Sequence, residues 1–117
     1  MRQNCLLLTT NYETMNAKKE FLKFTANHQV LCATIHFDKY LMDEEITRIN
    51  LPVNYTELAY QEFLSKLDRN YDSGYGGQEL FGTIWFKDGT WADRGEYDGS
   101  EWWQHHIIPE IEDFLLL

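Results

Sequence analysis

The sequence predicts an α+β fold, with two helices covering a mostly antiparallel sheet. Three observations carry that prediction. Segments near residues 15–27 and 55–69 place apolar side chains at helical spacing. The stretches around them alternate apolar and polar residues with the period of two that a half-buried strand requires. Two Asp-Gly pairs, Asp88-Gly89 and Asp98-Gly99, separate β-rich runs in the last third of the chain, which is the signature of tight hairpins. The resulting order is β-α-β-β-α-β-β-β.

Residues 3–11 ("QNCLLLTTN") read as a buried strand. In residues 15–27, Ala17, Phe21 and Phe24 recur on one helical face, with Thr14 able to cap the start and Asn27 the end. Residues 29–37 ("QVLCATIHF") set Leu31, Ala33, Ile35 and Phe37 against Cys32, Thr34 and His36, as a strand with one more apolar face does. Residues 44–51 are expected to pair back as a polar, edge-like strand. Asn54 with Glu57 resembles a capping box for the helix at 55–69, whose stripe of Tyr60, Phe63, Leu64 and Leu67 is core-forming. Residues 70–79 ("NYDSGYGGQE") read as a glycine-rich loop. It lacks the lysine of a phosphate-binding loop and precedes a strand rather than a helix.

Strands 79–87, 90–97 and 100–107 complete a C-terminal meander spanning about 79–107, and residues after Pro109 are expected to dock back on the body. With two-residue type I′ turns, Phe86 faces Trp91, Ile84 faces Asp93 and Gly95 faces Trp102. One face then holds Leu80, Ile84, Phe86, Trp91, Tyr97 and Trp102 as core. The other holds Trp85, Arg94, Glu96, Glu101 and Trp103 at the surface, with Arg94 against the Trp103 ring. Glu96 opposite Glu101 is unfavourable in this register. A longer second turn would relieve it, and a one-residue slip would swap the faces of the last strand.

The run "YDSGYGGQELFGTIWFKDGTWADRGEYDGSEWW", continuing to "PEI", resembles a motif of small bacteriophage and prophage proteins of unassigned activity. The likeness covers about residues 55–112. It implies a phage origin and an accessory role, and it carries no mechanism; the cytoplasmic, host-cell location expected for the chain rests on the lack of a secretory leader or membrane span in the sequence.

The 117 residues fit one domain, 1–117, and a composition 44% hydrophobic and 15% aromatic argues for a folded core. The initial apolar run ends at Leu8, too short for a secretory leader, and nothing approaches the roughly 20 apolar residues of a membrane span. Cys5 and Cys32 lack a CxxC pattern and read as buried thiols. His105 and His106 would point to opposite sides of a strand, so neither a metal site nor any other cofactor is expected. No Ser-His-Asp or Cys-His arrangement can be placed, and carboxylates alone do not make a glycosidase groove, so no catalytic residue is assigned and the chain is read as a non-enzyme.

Charge points to a partner instead. The net charge is −9, split as +2 over residues 1–40 and −11 over residues 41–117. Direct nucleic-acid binding needs a basic footprint, and an anionic membrane would repel the chain. A protein with a basic surface would attract it. The expected function is therefore an acidic accessory protein that binds and inhibits a host protein, a nucleic-acid-handling or antiviral-defence complex whose phosphate ligands the carboxylates imitate. Asp93, Glu96, Asp98 and Glu101 would supply charge, and Tyr75, Arg94 and Trp103 aromatic and cationic anchors. Two alternatives stand beside it: a pocket for a sugar or nucleotide signal built from the glycine-rich loop and tryptophans, and a homo-oligomer.

Overall fold

Over residues 13–38, 48–73 and 77–116, which the computed structural model describes, the chain runs β1 (Glu13–Asn16), α1 (Ala17–Phe24), β2 (Val30–Phe37), β3 (Arg48–Leu51), α2 (Glu57–Leu67), β4 (Asn70–Ser73), β5 (Leu80–Phe86), β6 (Trp91–Tyr97) and β7 (Ser100–His106). A 3-10 turn follows at Asp113–Leu115. The fold is α+β. Strands β3-β2-β5-β6-β7 form one sheet in that order, each neighbour pair antiparallel. β1 and β4 form a separate antiparallel ribbon. The strand expected over 3–11 lies outside the described residues, as do Cys5 and Tyr75. No helix among the described residues is long and apolar enough to cross a membrane.

Two helix starts differ from expectation. Thr14 is not the cap of α1. Residues 13–16 are extended and pair with β4, and the Asn16 side chain caps the helix by accepting from Lys19 N at 3.0 Å. The helix ends at Phe24 rather than Asn27, where the Thr25 hydroxyl donates to Phe21 O at 2.8 Å. Asn54 does not cap α2. It sits at φ 60°, and Thr56 does the capping, accepting from Ala59 N at 3.0 Å. Part of the expected glycine-rich loop, residues 70–73, is strand β4.

Both helices pack on one face of the sheet. Phe21 of α1 meets Phe63 of α2 edge-on at 5.3 Å, and Phe24 lies 6.2 Å from both the Phe86 and Trp103 rings. With Ile35, Leu51, Leu67, Leu80 and Ile84, all fully buried, they make the core. Each such side chain contributes about 1.5–3 kcal/mol through burial.

The first hairpin turn decides which residues join that core. Phe86 N donates to Thr90 O at 2.9 Å and Gly89 N to Phe86 O at 3.1 Å. Gly89 is at φ +91°, while Asp88 is not at positive φ. Lys87-Asp88-Gly89 is thus a three-residue loop with its glycine in the left-handed position, not the expected type I′ pair. Asp88 Oδ1 braces it, accepting from the Thr90 amide at 2.9 Å and hydroxyl at 2.6 Å. The register becomes Trp85↔Trp91, Ile84↔Ala92 and Thr83↔Asp93, one residue away from the expected pairs. At the second turn Asp98 (φ 56°) and Gly99 (φ 89°) do form the expected two-residue hairpin, and Arg94↔Trp103, Gly95↔Trp102 and Glu96↔Glu101 pair as predicted. The slip therefore carries β6 and β7 together, and every side chain on them changes face.

Candidate functional site

The sheet has one face under the helices and one with no helix over it among the described residues. The helix-side face receives Ala92 and Arg94 from β6, and Glu101 and Trp103 from β7. Arg94, Glu101 and Trp103, expected as surface contacts, are interior: the Arg94 side chain is 1% exposed and that of Glu101 0%. Burying these charges is costly unless they are paired and hydrogen-bonded, and here they are. Arg94 Nη1 donates to Glu20 Oε2 of α1 at 2.9 Å, and Nη2 to Tyr71 OH of β4 at 2.9 Å and Glu101 Oε1 at 3.1 Å. Tyr71 OH donates to Glu20 Oε1 at 2.5 Å. Glu101 also accepts from the amides of Glu79 at 2.6 Å and Leu80 at 3.1 Å. The guanidinium lies 4.9 Å from the Trp103 ring, so the expected cation–π contact exists, but inside the protein.

Two shifts follow from this packing. Burial, then the bond to Glu20, pushes the Tyr71 phenol well above its ordinary range. Burial pulls on Arg94 in the direction of losing its proton, yet Glu20 and Tyr71 outweigh it and hold the guanidinium charged. The cluster joins α1, β4, β6 and β7, and its charged groups bond one another, while Arg94 Nε and the Trp103 indole N–H are buried without a hydrogen-bond partner among the described residues. It is a structural tie. It also resolves the Glu96–Glu101 conflict, since Glu101 turns inward while Glu96 Oε2 accepts from Gly99 N at 2.9 Å.

The opposite face carries Tyr97 and Trp102, expected inside, beside Trp85, expected at the surface. Trp85, Trp102 and Tyr97 are 41%, 40% and 77% exposed. Trp91 stacks on His106 at 4.2 Å, and His106 Nε2 bonds Asp93 Oδ1 at 2.7 Å. Trp102 lies against Gly95, where a Cβ would come within 2.6 Å of its Nε1. On β2 and β5, His36 stacks on Phe81 at 5.3 Å, and burial followed by nearby Arg48 lowers the His36 pKa. Cys32, a free thiol pushed up by burial, pairs opposite Trp85.

The predicted site residues are therefore divided. Asp93 stands on the open face, Glu96 and Asp98 are exposed at the tip of the β6–β7 hairpin, and Arg94, Glu101 and Trp103 are core. Sequence reasoning missed Trp91, Trp102 and Tyr97 as surface residues. The signal that could have found them is Asp88-Gly89-Thr90, where Asp88 can bond Thr90 and a single glycine suffices for the turn. The described residues contain no cluster of three or more His, Cys, Asp or Glu side chains arranged for a metal ion. Comparison finds no matching family model, no similar curated protein and no similar solved structure.

Proposed function

We propose that the chain is a small acidic accessory protein that binds, and thereby inhibits, a basic protein partner, using the open sheet face rather than catalysis. The observation that carries this reading is the exposure of Trp85, Trp102 and Tyr97 on the sheet face that no helix covers among the described residues, with Asp93, Glu96 and Asp98 on the β6–β7 hairpin. Exposed Trp and Tyr side chains are the residues that dominate the energetics of protein interfaces. The net charge of −9 favours a cationic partner and speeds encounter with it. The phage-like motif of the C-terminal half makes a host nucleic-acid-handling or defence protein the partner class of choice.

Affinity purification from host cells tests the reading. A partner should be retained by the wild-type chain, released by high salt, and lost with Tyr97→Ala combined with Trp102→Ala. Capture that is indifferent to both salt and these substitutions counts against the open face. A second reading, a neutral sugar stacked on Trp102, is favoured by that indole lying against Gly95 while 40% exposed. It predicts tryptophan quenching by oligosaccharides that salt does not alter.

A further inference from the structure

The segment after β7 was expected to fold back on the body, and it does not. Ile107, Ile108, Ile111, Phe114, Leu115 and Leu116 are each 60–71% exposed. Glu110, Glu112 and Asp113 are exposed among them. Six large apolar side chains left in water within one short segment are more than the single scattered exposures of an ordinary surface.

Elsewhere on the same chain lies a groove of about 490 Å³ between α1 and β7, the last strand of the sheet. Phe24, Trp102 and Trp103 supply apolar walls, and Lys23 and His28 line it with Glu20. Glu20 is already engaged by Arg94 and Tyr71, which leaves α1 with Lys18, Lys19 and Lys23 as its outward charges. The groove is thus apolar with Lys23 as its lysine, and the tail is apolar and acidic. The same opposition appears in the sequence, where residues 1–40 carry +2 and residues 41–117 carry −11.

We propose that the C-terminal segment Ile107–Leu116 of one copy occupies the α1–β7 groove of a second copy, and that the exchange is reciprocal. The tail leaves its apolar side chains exposed in its own chain, so it does not fill its own groove. Reciprocal exchange around a two-fold axis makes each contact twice. Because each contact is made twice, the buried area doubles toward the about 1,600 Å² of a stable interface. Repulsion between two chains of net −9 is screened beyond about 8 Å at physiological ionic strength, which leaves local complementarity to decide.

Sedimentation velocity and tryptophan emission over a concentration series test this. The expected result is a mass that doubles with concentration, accompanied by a blue shift as Trp102 is covered. Phe114→Asp with Leu115→Asp should abolish the dimer and leave the thermal transition in place, because both side chains are exposed. Lys23→Glu should weaken it about tenfold, the effect of turning a rim ion pair repulsive in two symmetric contacts. Adding Glu110→Lys and Glu112→Lys to that variant should restore most of the loss. A single-chain mass at every concentration overturns the proposal, as does a tail variant that dimerises like the wild type. A blue shift at single-chain mass that the tail variant removes would place the tail in its own groove and equally overturn it.

Discussion

At Gly95 the absence of a side chain positions an aromatic ring. A Cβ there would meet Trp102 Nε1 at 2.6 Å, Cε2 at 2.7 Å and Gln104 Oε1 at 2.8 Å, closer than real contacts allow. The pairing of Gly95 with Trp102 was legible in the sequence, because Asp98-Gly99 fixes the count across the second turn. Which way the ring points was not legible, since that depends on a turn one strand earlier. Gly95→Ala is expected to lift the indole off β6, cost about 1–3 kcal/mol as overpacking does, and red-shift tryptophan emission. An unchanged spectrum with an unchanged melting temperature would mean that the ring has room the geometry denies. The neighbouring residues carry the same lesson. Ala92 is buried where the expected register would have put Asp93, and an unpaired carboxylate opposite Ile84 costs far more than any turn preference.

Among the elements, those defined by their own periodicity were readable and those defined by pairing were not. The stripe of Phe63, Leu64 and Leu67 gave α2, and the two Asp-Gly pairs gave the β5–β6–β7 meander. The β1–β4 ribbon escaped notice because each strand is four residues long and has meaning only opposite the other. The two hairpins look alike in sequence, yet packing makes them differ. Asp98 and Gly99 both take positive φ, whereas at the first turn only Gly89 does, and Asp88 instead binds Thr90. The hydrogen bonds from Thr90 hold the Asp88 carboxyl below its ordinary range. The two turns should therefore respond differently to the same change. Asp98→Gly relieves a positive φ and is expected to leave the melting temperature close to wild type. Asp88→Gly removes the acceptor for two donors with no backbone strain to release, and is expected to lower it. Equal responses in thermal denaturation would make the turns equivalent and undo the register argument.

For the whole molecule, the fold class was legible because binary patterning dictates layers, while the candidate site was not, because one residue of register inverts a surface. The same inversion gathers Glu20, Tyr71, Arg94 and Glu101 from four elements into one buried tie, and that tie sets the protein's response to alkali. In the folded chain Tyr71 is pushed well above its ordinary pKa, chiefly by burial and next by donating to Glu20. Unfolded, the same phenol titrates near about 10. A group whose pKa is raised by folding contributes stability that is complete below its unfolded value and is lost as pH climbs past it. Denaturation midpoints should therefore fall progressively as pH rises above about 10 toward the raised folded value. Tyr71→Phe has no phenol to ionise. It should be less stable at neutral pH by about 1–3 kcal/mol, having left Glu20 and Arg94 a bond short, and its midpoint should decline less steeply in alkali. Some slope remains, because burial also raises the pKa values of Tyr55 and Tyr60, and both persist in the variant. Parallel pH profiles for the two proteins would show that Tyr71 ionises as freely in the folded chain as in the unfolded one, and the tie across α1, β4, β6 and β7 would lose its physical basis.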